Sequence, residues 1–395
     1  MRVLFVDDEQ SVLDGLRRSL RRHCKDWELS FATSGEEAVE MMVVEAPDVL
    51  VSDMRMTGMD GAQLLQIVQE RWPGTVRFLL SGHSDSEAIM RTTLVAHQFL
   101  SKPCDGAQLR STVERASALH RLIEDPDVRR AIGEVGKLPP VPETYQKLTE
   151  ALACEDVSVE MVGDTVALDP VIAAKLLQLV NSSFFGLSRS VSDVNDAVSF
   201  LGLDVVRDLV LTLGAFACAD VPDALRPMLS SIAGRSQAVA AVARAIAPAE
   251  FRASAYAAGL LLDVGHVVVA AGMPEAFAKI SSACSGATHP RDQLEREEIG
   301  ADHAAIGAYL LSQWGLPHDL TSAVAWHHRP ANAGSDTTCL ATFLHVADAL
   351  TEELLESGWH EGSSLNEEHL ERLGVAGEIA GWREVAAVTL ATEGE

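Results

Sequence analysis

Short strand-like segments alternate with helix-like segments along residues 2–103. Five runs have the length and apolar content of buried strands: Val3–Val6, Leu29–Ala32, Val49–Ser52, Val76–Leu80 and Gln98–Leu100. Between these runs, apolar residues recur every three or four positions, as in amphipathic helices. The alternation predicts an α/β doubly wound fold, a five-stranded parallel sheet of flavodoxin-like type with helices on both faces.

Helical periodicity replaces the strand pattern from Glu143 onward. Asp169-Pro170 is typical of a helix start, because Asp can cap the first turn and Pro fits its first position. Gly202 follows an apolar run as a helix end. These patterns predict that an all-α region follows the α/β region.

Breaks in these patterns divide the chain into four parts. Asp125-Pro126 interrupts the helical pattern after the fifth strand, because the residue before Pro disfavours the helical conformation. We predict a first domain at residues 1–122, with a linker helix at its end, and a linker at 123–137. A helical domain at 138–350 and a helical extension or tail at 351–395 follow.

Composition describes a folded protein with an acidic surface. The chain has 395 residues, 47% of them apolar and 22% charged, and its formal net charge is −26. This length predicts two or three domains. Because binding to a phosphate backbone requires a basic surface, we expect no direct DNA binding.

Several signals favour a cytoplasmic protein. The six Cys are far apart and form no C-x-x-C pair, which is typical of reduced thiols. Acidic residues appear too early in the first ten positions for a signal peptide. The most apolar stretch, Ala255–Met273, contains Asp263 and His266, so we expect a buried helix and no membrane span.

Polar residues suited to one shared chemistry follow four of the predicted strands: Asp7 and Asp8, Asp53, Ser81, and Lys102. Because ligands bind at the carboxyl ends of parallel strands, these side chains are expected to meet. Asp53 is placed as a nucleophile. Asp7 and Asp8 add hard oxygen ligands suited to Mg²⁺. Lys102 supplies a fixed positive charge and Ser81 a hydroxyl that can bind a phosphoryl oxygen.

The segments around these residues resemble the receiver domain of response regulators. The resemblance rests on Asp-Asp after the first strand, on residues 53–61 (DMRMTGMDG), on Ser81-Gly82, and on residues 99–103 (FLSKP). It implies that a sensor histidine kinase or a phosphotransfer protein phosphorylates Asp53. It also implies a switching surface whose contacts change on phosphorylation.

The same resemblance implies the remaining roles in the pocket. Mg²⁺ would be bound by Asp7, Asp8, Asp53 and the main-chain carbonyl of Arg55. The switch and phosphate-binding residues would be Ser81, Phe99 and Lys102. Thr57 stands where the family usually has Pro.

Residues 138–350 resemble the HDOD domain, a helical relative of the HD phosphohydrolases found in bacterial signalling proteins. The first half carries the resemblance at Leu138–Pro142, Leu168–Pro170, Leu179–Gly186 and Ala197–Gly202. The second half carries it at Leu260–Gly265, Asp302-His303, Trp314–Pro317 and His327-His328.

The ligand set of an HD phosphohydrolase is incomplete here. Such enzymes hold metal with an early His, a His-Asp doublet and a later Asp, and metal-bound water attacks phosphorus. Asp263 matches the doublet's Asp, but Leu262 replaces its His, and Gly234–Gln237 lacks the early His. Asp348 matches the later Asp. With two imidazoles missing, we expect no transition metal and no enzymatic activity.

The remaining histidines keep two alternatives open. A displaced, degenerate HD site would use Asp263, His303, His327, His328 and Asp348, with His266 nearby. Because His327 and His328 are ~100° apart on a helix, at most one is expected to face such a site. A site of this kind would make the protein a receiver-controlled phosphohydrolase or cyclic-dinucleotide phosphodiesterase. A domain that binds a nucleotide without cleaving it is the second alternative.

The favoured hypothesis is a bacterial two-component response regulator. Phosphorylation of Asp53 would gate a non-catalytic HDOD output that acts on a downstream signalling protein, whose identity the sequence leaves open. A homodimer is compatible with this hypothesis, although no sequence pattern indicates one.

Overall fold

The computed structural model describes residues 1–24, 26–82, 92–102, 104, 106–117, 122–123, 125–134, 138, 140–154, 157–182, 185, 187, 190–217, 226–284, 290–355 and 363–393. Five residues of the motifs above lie outside the described residues: Pro103, Pro139, Ser183, Phe184 and Gly186. Parts of the predicted linker and of the predicted tail also lie outside them.

The amino-terminal region forms one parallel sheet. Its strands are β1 (Arg2–Val6), β2 (Glu28–Ala32), β3 (Val49–Asp53), β4 (Val76–Ser81) and β5 (Gln98–Ser101). They lie in the order β2-β1-β3-β4-β5, and every neighbouring pair is parallel. The predicted α/β fold is therefore confirmed.

Four described helices flank this sheet: α1 (Gln10–His23), α2 (Gly35–Val44), α3 (Gly61–Arg71) and α4 (Gly106–Ser117). The start of α3 is fixed by a capping box between Asp60 and Gln63. A Cβ at Gly61 would lie 2.2 Å from the main-chain oxygen of Asp53, so only Gly permits this approach. The close approach places the loop 54–60 directly beside the end of β3.

The rest of the chain is helical, as predicted. The α-helices are α5 (Pro126–Glu134), α6 (Pro142–Ala153), α7 (Val159–Val166), α8 (Pro170–Val180), α9 (Val194–Leu201), α10 (Leu203–Ala217), α11 (Arg226–Ile246), α12 (Arg252–Leu261), α13 (Val264–Gly272), α14 (Pro274–Cys284), α15 (Arg291–Ile299), α16 (His303–Gln313), α17 (His318–Trp326), α18 (Leu340–Leu354), α19 (Glu367–Arg372) and α20 (Ile379–Glu393). Short 3-10 helices lie at Pro330–Ala333 and Ala376–Glu378.

The buried α8 is held at its start by Asp169. The Asp169 carboxylate accepts hydrogen bonds from the main-chain nitrogens of Val171 at 2.8 Å and Ile172 at 3.2 Å, which caps the helix. It also accepts one from the main-chain nitrogen of Val141 at 2.5 Å. One carboxylate therefore ties the proline-rich entry of the helical region to its central helix.

The two regions share one apolar core. A single cluster of buried residues includes Leu79 and Phe99 from the sheet together with Leu177 and Trp314 from the helices. The α/β and helical regions are therefore packed against each other and are not separated by an open linker.

The carboxy-terminal segment packs on the helical region. Leu370 of α19 and Ala386 of α20 are fully buried, and α20 lies against α11 and α18. Arg383 of α20 pairs with Glu353 of α18, with nitrogen–oxygen distances of 2.9 and 3.0 Å.

Among the described residues, Arg252–Gly272 is the one helical stretch long and apolar enough to cross a membrane. Within this stretch, 83% of the 18-residue window that meets the test is buried inside the protein. Such burial is equally typical of a core helix, so the stretch is weak evidence for a membrane span.

Candidate functional site

The acidic residues predicted from the strand ends meet in one pocket. Lys102 Nζ lies 2.7 Å from Asp53 Oδ1 and 2.9 Å from Asp7 Oδ2. Asp7 and Asp53 are buried, whereas Asp8 is exposed at the rim. One carboxylate oxygen from each of these three acids lies within 4.8 Å of the others. This set of hard oxygen atoms fits Mg²⁺, which prefers carboxylates and retained water molecules.

The charges of the pocket depend on one another. Burial raises the pKa of Asp53, and the hydrogen bond and charge of Lys102 oppose that rise. Burial would lower the pKa of Lys102, but its hydrogen bonds to Asp53 and Asp7 outweigh burial and raise it. A buried carboxylate next to another acid gains from an additional cation. The pocket therefore favours a divalent ion beside Lys102.

Thr57 holds the exposed acid of this pocket in place. Its main-chain nitrogen and its hydroxyl both donate to Asp8 Oδ2, each at 2.9 Å. These two hydrogen bonds lower the pKa of Asp8. Because Oδ2 accepts both hydrogen bonds, Oδ1 of Asp8 is available to bind a cation. A proline at position 57 would make neither bond.

The predicted switch residues Ser81 and Phe99 lie in β4, the neighbour of the Asp53 strand, and in β5 beyond it. Ser81 is fully buried, and its hydroxyl has no hydrogen-bond partner among the described residues. Phe99 of β5 is 1% exposed and therefore points inward. Arg55 lies in the loop after β3, with an exposed side chain. The structure thus places Ser81 and Phe99 on adjacent strands, with Leu79 paired to Phe99 and Ser81 to Ser101.

A second polar cluster is buried in the helical region. Arg235 of α11 lies where the early His was expected, and it is 5% exposed. Its guanidinium donates to Asp263 Oδ2 at 2.6 Å and to Asp348 Oδ1 at 2.5 Å. The side chain therefore joins the two carboxylates that match HD metal ligands.

The charge of Arg235 fixes the ionisation of its partners. Burial alone would raise the pKa of Asp348, but Arg235, His327 and His328 together hold it well below its ordinary range. Asp348 Oδ2 also accepts a 2.6 Å hydrogen bond from Ser363. Asp348 is therefore an ionised carboxylate whose two oxygens are both engaged.

Three histidines lie beside this arginine. Ring nitrogens of His303, His327 and His328 all lie within 4.8 Å of one another, and His328 Nε2 is 3.0 Å from His303 Nε2. The expectation that only one of His327 and His328 faces the site is wrong. Helix α17 ends at Trp326, but His327 keeps helical backbone angles. The two imidazole rings nevertheless lie 3.9 Å apart, so both reach the cluster despite the offset along the helix.

Glu295 supports this cluster and was not predicted from the sequence. Its Oε2 accepts from the main-chain nitrogen of His303 and lies 2.7 Å from His303 Nδ1. Its Oε1 lies 3.1 Å from His266 Nδ1. Burial alone would raise the pKa of Glu295, but these two histidines hold it well below its ordinary value. Glu295 lies in the charged helix α15, and no local sequence pattern distinguishes it from the other charged residues there.

The described residues form an α/β domain with an acidic pocket at the ends of its strands, joined to a helical domain with a buried ionic cluster. Residues 3–114 match the response regulator receiver domain family, and residues 138–330 match the HDOD domain family. The chain therefore contains an amino-terminal response regulator receiver domain and a carboxy-terminal HDOD domain.

Curated relatives match parts of the chain. An uncharacterized protein of Treponema pallidum (strain Nichols) is 28% identical over 200 residues, 50% of this chain and 39% of that protein. The hydrogenase transcriptional regulatory protein HoxA of Cupriavidus necator is 36% identical over 116 residues, 29% of this chain and 23% of that protein. The DNA-binding transcriptional regulator NtrC of Escherichia coli (strain K12) is 29% identical over 171 residues, 41% of this chain and 35% of that protein. The chain spans less than half the length of each.

Solved structures match about two thirds of the chain. A virulence factor from Campylobacter jejuni subsp. jejuni has a TM-score of 0.50 and 18% identity, with coverage of 67% of this chain and 93% of that one. The MmoQ response regulator from Methylococcus capsulatus str. Bath has a TM-score of 0.48 and 24% identity, with coverage of 64% and 98%.

Proposed function

We propose that phosphorylation of Asp53 controls a non-catalytic HDOD output that acts by protein–protein interaction. The observation that carries the non-catalytic part is the position of Arg235. Its guanidinium occupies the space between Asp263 and Asp348, within 2.6 Å of one oxygen of each. In an HD phosphohydrolase these positions would hold metal, and metal-bound water is the nucleophile.

A fixed guanidinium satisfies the two carboxylates without an ion. Arg235 is positively charged at every physiological pH, and its planar donors match two acids at once. A metal that displaced Arg235 would leave a buried cation without partners, which is costly. The geometry therefore supports a signalling role for this domain over hydrolysis.

The interface between the two domains supports coupling to the phosphorylation site. Gln98, which precedes Phe99 in β5, donates to the main-chain oxygens of Gln313 at 2.9 Å and Ser312 at 3.4 Å. In the other direction, Gln178 of α8 donates to the main-chain oxygens of His97 at 2.8 Å and Ala96 at 3.2 Å.

These hydrogen bonds hold the backbone immediately before Phe99, the predicted switch residue. Lys175 extends the contact, since its ammonium lies 3.3 Å from the main-chain oxygen of Thr93 and 3.8 Å from the centre of the Trp314 ring. A shift of Ser81 and Phe99 toward a phosphoryl group would move this backbone. We infer that phosphorylation loosens the interface and exposes HDOD surface to a partner protein.

Partners follow from the same proposal. The phosphoryl donor would be a sensor histidine kinase or a phosphotransfer protein, and the receiver of the signal would be another protein. The net charge of −26 favours a protein partner over direct contact with DNA. The name of the NtrC relative describes DNA binding of that protein, whose match to this chain covers 35% of its length.

The test compares amide hydrogen exchange of the full chain in two states. With Mg²⁺ and beryllofluoride, residues 92–98, 170–180 and 305–316 should exchange faster than in untreated protein. Asp53→Ala is the matched control and should show no response. Unchanged exchange across the interface in treated wild type, at full occupancy of Asp53, would contradict gating.

A turnover assay tests the non-catalytic part separately. Cyclic dinucleotides and a simple phosphodiester, incubated with the full chain and Mn²⁺, Fe²⁺ or Zn²⁺, should remain uncleaved in both phosphorylation states. Multiple turnover that Asp263→Asn abolishes would establish the receiver-controlled phosphodiesterase instead. Saturable nucleotide binding without cleavage would identify a small-molecule receptor, in which case the output is not purely a protein interaction.

A further inference from the structure

We propose that His303, His327 and His328 bind one divalent transition-metal ion inside the HDOD domain. The proposal is independent of phosphorylation and of the output mechanism. It revises the expectation from the sequence that this domain holds no transition metal. It concerns the histidine side of the cluster, which Arg235 does not fill.

Two buried polar atoms at this place are without hydrogen-bond partners among the described residues. They are Nε2 of His327 and Oδ1 of Asp263, and both side chains are fully buried. Buried polar atoms are nearly always paired, because an unpaired one carries its full desolvation cost. Asp263 Oδ1 lies 4.0 Å from His303 Nε2. A cation held by the three histidines would give the His327 nitrogen a partner, and the Asp263 carboxylate nearby would balance its charge.

The opposite nitrogens of the rings are anchored as in metal-binding histidines. His303 Nδ1 lies 2.7 Å from Glu295 Oε2, and His327 Nδ1 lies 2.7 Å from the main-chain oxygen of Val324. Such contacts fix Nδ1 as the protonated nitrogen and direct the Nε2 lone pair away from the carboxylate or carbonyl. In both residues Nε2 is then the atom that faces the other histidines.

The spacing of the donors fits a small ion. Nε2 of His303 and Nε2 of His328 are 3.0 Å apart, close to the separation of two ligands that each lie ~2.0–2.1 Å from one tetrahedral Zn²⁺. Without metal, this pair shares one proton as a hydrogen bond. Binding would move that proton to Nδ1 of His328, which lies near Ser363 and Asp348, so that both Nε2 lone pairs face the ion.

The donor set also indicates the class of the ion and the number of ions. Three imidazoles favour Zn²⁺, Co²⁺ or Fe²⁺ over Mg²⁺ or Ca²⁺, which prefer oxygen ligands. Asp263 Oδ2 and Asp348 Oδ1 are already occupied by Arg235. The site therefore takes a single ion, which joins the start of α16 to the turn after α17.

The experiment uses untagged full-length protein, because a histidine tag would itself bind metal. After removal of metal with a chelator and a check by circular dichroism, Co²⁺ and then Zn²⁺ are titrated in the presence of excess Mg²⁺, which occupies the receiver pocket. We expect about one Co²⁺ per chain with visible absorption typical of nitrogen ligands, displacement by Zn²⁺, and a higher melting temperature with Zn²⁺. His303→Ala and His328→Ala should each weaken binding by at least tenfold.

His318→Gln is the control. His318 is exposed at the start of α17, the helix that precedes His327 and His328, so this variant should leave binding unchanged. Three results would overturn the site: no saturable Co²⁺ binding to folded wild type, two ions per chain, or unchanged binding in both histidine variants. The wild-type titration decides the question even if a variant fails to fold. Phosphodiester turnover would refute the proposed function but would leave this site standing.

Discussion

The side-chain amide of Gln98 donates a 2.9 Å hydrogen bond to the main-chain oxygen of Gln313, which joins β5 of the receiver domain to the end of α16. Carbonyl groups in the last turn of a helix lack partners within the helix, so they readily accept such a bond. Gln98 is also the residue immediately before Phe99. The contact therefore links the switch strand to the output domain without any intervening loop.

Loss of this contact should lower the stability of the full chain. We expect Gln98→Ala to lower the free energy of unfolding by about 1–3 kcal/mol, because two carbonyl groups lose a buried donor. Gln178→Ala should have a similar effect, and equilibrium urea unfolding measures both. Gln66→Ala is the control, since Gln66 is exposed and its bond to Glu70 is 3.5 Å long. Equal stability of Gln98→Ala and Gln66→Ala would show that the interface bond contributes nothing.

Removal of Arg235 should lower the free energy of unfolding far more than removal of a surface arginine. Arg235→Met leaves Asp263 and Asp348 buried without a counter-charge, which typically costs about 3–5 kcal/mol. Chemical unfolding of the full chain gives the value. The matched variant is Arg130→Met, because Arg130 pairs with Asp127 at 3.1 Å on the surface and such pairs contribute about 0–1 kcal/mol.

A combined variant separates charge from packing at Arg235. Arg235→Met with Asp263→Asn and Asp348→Asn removes all three charges and keeps similar volumes. It should recover at least half of the stability that Arg235→Met alone loses. If the triple variant is as unstable as the single one, lost packing is the cause, and the buried ion pairs do not explain the role of Arg235.

The receiver fold and pocket could be predicted because their signals are local. Each strand is a short apolar run, and each functional side chain follows directly after one. Parallel strands then bring Asp7, Asp53 and Lys102 together without further information. The helical domain could be assigned for a related reason, since Asp169-Pro170 and Gly202 mark helix ends within a few residues.

The helical cluster could be predicted only in part, because its contacts are distant in sequence. Arg235 could be identified as the residue in place of an expected His, but its bond to Asp348 spans 113 positions. Glu295 supports His303 through tertiary packing alone. One signal was available: Lys175 and Gln178 interrupt the otherwise apolar helix Pro170–Val180, and both face the receiver domain.

Thr57 should tune the Mg²⁺ affinity of the receiver pocket. Thr57→Val removes the hydroxyl bond to Asp8, and Thr57→Pro removes the main-chain bond as well. Since groups that orient a metal ligand typically contribute 10–100-fold to affinity, we expect up to about tenfold weaker Mg²⁺ binding for Val and more for Pro. Isothermal titration with Mg²⁺ measures the change. Unaltered affinity in Thr57→Pro would mean that Asp8 needs no such support.

The buried Lys175 predicts that the stability of the protein depends on pH between pH 7 and pH 9. Burial, reinforced by the charge of Arg77, lowers the pKa of Lys175 to about 7 in the folded protein, from an ordinary value of 10.5. Between these values the unfolded chain binds a proton that the folded chain lacks, so stability rises with pH. The ammonium form, which contacts Thr93 and the Trp314 ring, is therefore the form that burial penalises.

Unfolding free energies of wild type and Lys175→Met at pH 7 and pH 9 test this dependence. Because one pKa unit corresponds to about 1.4 kcal/mol, wild type should gain about 2 kcal/mol over Lys175→Met across this interval. Lys147→Met is the control, since Lys147 lies on the exposed side of α6 and should follow wild type. Parallel curves for wild type and Lys175→Met would show that Lys175 keeps an ordinary pKa. In that case the contacts with Thr93 and Trp314 would stabilise the ammonium enough to offset its burial.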